Sequence, residues 1–320
     1  AQRASRALDP RRGGRAASPA PPGPMPSGLD DHADALEWLD TEHQALLAVM
    51  RHAVANGRDA TTSALVWALE PYFERRGLWS DRAAAHRLAA EAAGRLGDTD
   101  ARAHSHRNLA RSLVQMGRVE EARAQFDIAM GLFVERDDAR GRADVHRGVG
   151  WLLSSLGDYR AGIDHARRAL DLYREAGDRL RQAQALNAIG WRHAQLGEYG
   201  PALDHCRRGL DLFIDVAAEF GHGDFQGEAE TWDSLGYIHH RRGDHDAALS
   251  CFDSAIHLLS ANGERYFLSE VLTRAGEVHR DLGAFDPAAR DWRRALAILD
   301  SLGHANAAGV RAKLSELDQM

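Results

Sequence analysis

The side chains most capable of chemistry in this sequence are its histidines, arginines and carboxylates, and their spacing points to recognition rather than reaction. There are 17 histidines. His239, His240 and His245 gather near one turn, and His104 and His106 lie two apart, but neither group matches HExxH or a Cys/His zinc spacing. Neighbouring positions on a helix also point in different directions. No GxSxG nucleophile turn and no GxxxxGK[ST] phosphate loop occurs. Gly221, Gly223 and Gly227 read GxGxxxG with no strand before them, which does not make a dinucleotide site. Catalytic residues, cofactor and metal are therefore not expected. What recurs at regular spacing is a set suited to non-covalent binding. Arg107, Arg111 and Arg147 carry guanidinium forks that pair with carboxylates. Trp151, Trp191 and Tyr237 supply rigid contact area. Asn187 and His240 are polar, and Asp233 and Glu277, with Glu270 nearby, are acidic.

The spacing of those residues comes from a repeat. "NAIGWRHAQLGEYGPALDHCRRGLDLF", 187–213, restates "RGVGWLLSSLGDYRAGIDHARRALDLY", 147–173, forty residues later. Turn glycines fall at Gly77, Gly117, Gly157, Gly197, Gly243 and Gly283, with steps of 40 residues and one of 46. A second row of small residues is Ala110, Gly150, Gly190, Gly236 and Gly276. A third is Ala89, Ala129, Ala169, Gly209, Ala255 and Ala295. Between the rows, apolar residues recur at three- and four-residue steps, the period of a half-buried helix. Each unit thus predicts two helices joined by a glycine in the left-handed conformation. The acidic residue after the glycine caps the second helix, and Pro201 and Pro287 sit early in it, where a missing N–H does no harm. Small residues let two helices approach closely, and larger ones would overpack at about 1–3 kcal/mol each. One such pair cannot cover its own apolar face, so pairs stack.

Composition agrees. The chain has 320 residues, 44% of them hydrophobic and only 7% aromatic. Its net charge of −7 argues against a general nucleic-acid surface. No apolar run reaches the roughly 18 residues that span a bilayer, and no signal-peptide order is present. Cys206 and Cys251 are the only cysteines, both within helical patterns, and predict buried thiols of a reducing, cytoplasmic compartment. Residues 1–29 hold six of the nine prolines and predict a disordered, extended linker. Residues 30–58 predict a capping helix, 59–304 six helix pairs, and 305–320 a closing helix. A first residue of Ala suggests a piece of a longer protein.

The Gly, Gly-Asp/Glu-Tyr and Ala-Leu pattern resembles the tetratricopeptide repeat, whose usual period is ~34 residues. That resemblance implies an all-α, right-handed solenoid of antiparallel helix pairs with first helices lining the concave face. Pro71 departs from it and predicts a bend or early end in the first helix of the first pair. A closer likeness covers roughly 5–318: "SRALDP", the Pro-rich linker, "ALEWLDTEHQALLAVMRHA" and "YFERRGLW" resemble the C-terminal part of bacterial antibiotic-regulatory proteins and their STAND-class relatives. It implies a sensor or interaction arm following winged-helix and NB-ARC modules that this chain lacks.

Aligned on the second row of small residues, the inward positions run from a basic end (Arg107, Arg111, Arg147) through Trp151, Asn187, Trp191, Tyr237 and His240 to an acidic end (Asp233, Glu277). The reading is a groove for a protein or peptide segment, with its acidic part towards the arginines and an apolar anchor on Trp151 and Trp191. The segment could belong to an upstream nucleotide-binding domain. No direct nucleic-acid or membrane contact is expected. A plainer reading stands beside it: tryptophans that pack between repeats, and arginines paired with neighbouring Asp and Glu. A free-standing scaffold of the same fold is the alternative function.

Overall fold

The computed structural model describes residues 1–8, 29, 32–220, 223–302, 304 and 306–317. These residues form fifteen helices and no strand. They divide into two compact units, Ala1–Leu152 and Leu153–Met320.

The first unit contains α1 (Gln2–Leu8), α2 (His32–Ala55), α3 (Asp59–Arg76), α4 (Trp79–Leu96), α5 (Thr99–Gln115), α6 (Val119–Glu135) and most of α7 (Ala139–Ser155). Glycine ends several of these helices: Gly77, Gly97 and Gly117 have φ of +64°, +66° and +70°, where a Cβ is strained. After α6 the same left-handed turn is made by Asp137, the one non-glycine residue with positive φ among those described. Asp98 caps α5, accepting from Ala101 N–H at 2.9 Å. Phe126 and Phe133 are fully buried between α5, α6 and α7. A Cβ on Gly148 would lie 2.5 Å from the Phe126 ring, so α7 approaches α6 only because a glycine faces it.

Two expectations are corrected here, one of them only in part. Residues Gln2–Leu8 are helical, and Ala4 and Leu8 pack into the core of α2 and α3. Spaced four apart, they share one helical face, a signal that the neighbouring prolines hid. The rest of the expected linker, 9–28, lies outside the described residues. Of the bend or early end expected at Pro71, the early end does not occur: α3 continues through it to Arg76, with Tyr72 and Phe73 buried in the same core.

The first unit also holds a buried ionic network absent from the sequence reading. Arg82 on α4 is 1% exposed and donates through Nε (3.1 Å) and Nη2 to Glu70 Oε1 on α3, and through Nη1 to Ser112 Oγ on α5 (3.2 Å). The other Glu70 oxygen lies 2.8 Å from His86 Nε2. Burial holds His86 below its ordinary pKa of 6.5, against the pull of Glu70. Burial alone would raise Glu70, but His86 and Arg82 outweigh it and hold the carboxyl well below its usual range. A ring kept neutral in the fold and protonated in the unfolded chain removes stability as pH falls through its ordinary value. The stability tied to Glu70 is present above the ordinary carboxyl range and lost at lower pH still. Acid therefore destabilises this unit in two stages, and His86 contributes to the first together with His104 and His106, which burial also holds below the ordinary histidine value. In His86→Gln, the urea midpoint is expected to change less than in the wild type between pH about 7.5 and 5.5. An equal change in both proteins would disprove the contribution of His86.

The second unit contains the end of α7, then α8 (Tyr159–Glu175), α9 (Arg179–Gln195), α10 (Tyr199–Phe220), α11 (Phe225–Arg242), α12 (His245–Ala261), α13 (Arg265–Asp281), α14 (Phe285–Ser301) and α15 (Ala307–Leu317). Asp158, Asp178 and Asp224 cap α8, α9 and α11 by accepting a backbone N–H. Three glycines of the second row, Gly190, Gly236 and Gly276, lie at helix crossings. An added Cβ would come 2.4 Å from Cys206 Sγ at Gly190, 2.6 Å from Phe252 at Gly236 and 2.4 Å from Trp292 at Gly276. Cys206 and Cys251 are buried free thiols, and burial pushes them up to about 12 and about 11. The 46-residue step, expected as a longer turn or contact loop, instead lengthens a helix. α10 has 22 residues where α8, α12 and α14 have 17. Of the GxGxxxG glycines, Gly221 lies outside the described residues.

Candidate functional site

Successive first helices carry the residues expected to bind, and each unit has its own set. In the first unit, Arg107 and Arg111 stand one turn apart on α5, Arg147 and Asp144 one turn apart on α7, and Glu74 on α3. Arg107 donates to Asp144 Oδ2 through Nη1, and through Nε and Nη2 to Asn108 Oδ1. Arg147 Nη2 is 4.0 Å from the second Asp144 oxygen. Arg111 Nη2 lies 3.3 Å from Glu74 Oε1, which Arg82 Nη2 approaches at 3.2 Å. Burial, against Glu74 and with Arg82, Arg147 and Arg107, pushes Arg111 down to about 10. Trp151 is half-buried against the α5–α6 core.

In the second unit the Trp191 ring on α9 lies 4.9 Å from that of Tyr237 on α11, tilted by 50°. Arg274 on α13 completes the set, with its guanidinium 6.0 Å from the Trp191 ring centre. It also donates to Asp233. Burial, reinforced by Glu270 and offset by Arg274, raises the Asp233 carboxyl above its usual pKa. Trp191 and Tyr237 are both half-buried, so each helps cover the core while keeping a solvent-facing edge.

The remaining expected residues fall elsewhere. Asn187 turns towards α10, where Cys206 Sγ donates to its Oδ1 at 3.4 Å. His240 Nε2 is 2.8 Å from Asp281 Oδ2. Glu277 accepts from Lys313 Nζ at 2.7 Å, and Glu270 from Tyr266 Oη at 3.0 Å. The acidic end read from the sequence thus carries its own cations, Arg274 and Lys313. Arg274, two positions before Gly276, lies off the inward positions aligned on the small residues. A signal for it existed: Arg107–Asp144, Arg179–Glu219, His240–Asp281 and Asp233–Arg274 are 37, 40, 41 and 41 residues apart, one repeat each. Charges about one period apart can meet, either on the first helices of neighbouring pairs or, for Arg179 and Glu219, at the start and the end of the lengthened pair α9–α10. Among the described residues no group of three or more His, Cys, Asp or Glu could hold a metal ion. Among them, too, no helix is long and apolar enough to cross a membrane.

Helix pairs nested through glycine and alanine, with charge pairs linking one repeat to the next, define an all-α repeat protein of the solenoid class. The model of the tetratricopeptide repeat family matches residues 101–175, 155–215 and 227–301, more than half of the sequence. The chain belongs to that family. No curated protein matches its sequence. Among solved structures it is similar to a Rap protein complexed with competence and sporulation factor, at 15% identity and a TM-score of 0.61, covering 90% of this chain and 80% of that one. It is also similar to BtubC from P. vanneervenii, at 18% identity and a TM-score of 0.54, covering 69% of this chain and 92% of that one. A STAND protein with a tetratricopeptide repeat sensor, from Pyrococcus horikoshii, aligns at 11% identity and a TM-score of 0.56, covering 88% of this chain and 44% of that one. At such identities the likeness is one of fold.

Proposed function

We propose that this chain is a cytoplasmic protein-interaction and sensing arm of a transcriptional regulator, non-catalytic itself, which binds partner segments on the first-helix faces of its repeats. The observation that carries the reading is the Trp191–Tyr237 pair, two half-buried aromatic side chains on successive first helices with Arg274 across the indole. Rigid aromatic area beside a paired charge is what interface hot spots are made of. The resemblance of "WLDTEH" and "RGLW" to antibiotic-regulatory and STAND-class proteins supports the regulatory part, with an upstream nucleotide-binding domain as one partner. A segment that moves such a regulator from 1:99 to 99:1 needs ~5.5 kcal/mol of differential affinity.

The test is capture of partners by the full chain, with mass spectrometry, beside Trp191→Ala and the pair Trp151→Ala/Arg147→Glu. Helicity of each variant is checked by circular dichroism. Partners are expected to be lost from both variants at unchanged helicity. An identical partner set in all three proteins would refute binding on these faces. A P-loop module encoded immediately upstream favours the regulator, and a start codon there the free-standing scaffold.

A further inference from the structure

We propose that Arg192 is the anchor for an acidic side chain of the segment that docks on the second unit. The proposal rests on the reading of first-helix faces as docking surfaces, and it adds the chemistry that the partner must carry there.

Arg192 is a charge at a core position. Its place in the repeat, two residues after the small residue of the first helix, is held elsewhere by Ser112, Leu152, Ile238 and Val278. All four are wholly buried and none is charged. Arg192 itself is 5% exposed. A charge taken out of water without a partner is costly, so buried guanidinia are normally paired with an acid. Arg82, the other deeply buried arginine among the described residues, has Glu70 for this. Arg192 has no such acid. Its Nε donates to Ser154 Oγ at 2.8 Å, on the part of α7 that belongs to the second unit, and its Nη1 to the Ala188 carbonyl one turn back on α9 at 2.7 Å. Burial pushes it down to about 10, and no carboxylate pulls it back. A guanidinium has five N–H donors, and these bonds leave Nη2 without an acceptor among the described residues. Nη2 is nevertheless not sealed from solvent, and Ser154 beside it is only half-buried. The side chain is thus held in place with one edge of its fork unused.

The direction of that side chain suits a docked segment. Arg192 reaches from α9 towards α7, whereas Trp191, one residue earlier, reaches towards Tyr237 on α11. A segment crossing this turn of α9 meets the aromatic pair on one side and the guanidinium on the other. The charge to be matched is a single one. A carboxylate matches it and accepts charge-assisted hydrogen bonds, about twice as strong as neutral ones. A phosphate brings about −1.5 to −2 charges, more than one guanidinium neutralises. The complementary group is therefore an Asp or Glu side chain near an apolar residue that rests on Trp191 and Tyr237.

The experiment uses the full chain and a library of random peptides displayed on phage, fused so that no terminal carboxylate is free. Peptides enriched by the wild type are expected to share an Asp or Glu at a fixed spacing from an aromatic or aliphatic residue. The best of them, with acetylated and amidated ends, is then titrated by fluorescence anisotropy against the wild type and Arg192→Met. Changing its acid to the amide is expected to weaken binding to the wild type about ten-fold. The same change should leave binding to Arg192→Met unaltered, the coupling that direct contact produces. Arg192→Met should also unfold at no lower urea concentration than the wild type, because apolar side chains fill this place in other repeats. The proposal falls if the enriched peptides share no acid, or if loss of the acid costs the same in both proteins. A lower urea midpoint in Arg192→Met with the acid preference intact would make the arginine purely structural and overturn it too. Should Arg192→Met not fold, Arg192→Lys replaces it: a point charge without the fork should cut the contribution of the acid several-fold, and an unchanged contribution refutes the contact. Enrichment of acid-free peptides that Trp191→Ala abolishes would leave the docking surface standing without this anchor. No enrichment by the wild type would remove both.

Discussion

Replacing Arg82 by methionine lowers the stability of the chain by about 3–5 kcal/mol, the cost of stripping one partner from a buried ion pair. The reason is Glu70. With Arg82 present, its carboxylate receives two guanidinium N–H groups and faces His86. Without Arg82 a charge that is almost wholly inside the protein keeps only an imidazole, and Ser112 and Glu74 each lose a donor. Adding Glu70→Gln to Arg82→Met should return part of the loss, because the amide has no charge to desolvate. Urea unfolding followed by circular dichroism reads both. If the double variant were less stable than the single by the full cost of a second broken bond, charge burial would not be the cause.

The second large effect lies at the other end of the chain. Trp292 on α14 is 1% exposed and packs with Leu272, Ala295, Leu299 and Val310. It donates its indole N–H to the Thr273 carbonyl at 3.0 Å. Trp292→Ala should cost about 3–5 kcal/mol through the cavity it leaves. Gly276 faces the same ring: a Cβ there would come 2.4 Å from Nε1 and 2.6 Å from Cδ1. Gly276→Ala should therefore cost about 1–3 kcal/mol by overpacking in the wild type, and nothing or less in the Trp292→Ala background, where the added methyl fills space. That non-additivity is the diagnostic, since residues in direct contact couple and distant ones add. Equal costs of Gly276→Ala in both backgrounds would mean that helix propensity, not the crossing, sets the residue at that position.

The two perturbations draw on different parts of the sequence record. The Gly276–Trp292 contact was half legible: the small residue of each first helix recurs at a fixed place, and sterics require something bulky opposite it. Gly190, Gly236 and Gly276 all meet a side chain of the following helix. Which side chain it is varies among a cysteine, a phenylalanine and a tryptophan, and no periodicity fixes that. The Arg82–Glu70–His86 network was not legible. Its members lie at ordinary helical positions among many other charges, and their burial depends on how α3, α4 and α5 close over them. The residues proposed for binding fall between these cases. Reading one face of each first helix put Trp191 and Tyr237 on neighbouring first helices, and their rings do meet, but it placed Asn187 towards the same groove, where the structure turns it to Cys206. It also left Asp233 and Glu277 as bare acids, where the structure supplies Arg274 and Lys313.

The helix pairs, their glycine turns and their small-residue crossings were determined by the sequence alone. Each depends on backbone geometry, steric size or spacing within a few residues, and these are local quantities that repeat with the period. Only the tertiary structure decided which charge meets which, that a helix at Gln2–Leu8 joins the core, and that extra residues lengthen α10 instead of a loop. Those outcomes depend on side chains some forty residues apart reaching the same few ångströms, and that distance exists only once neighbouring helices have packed.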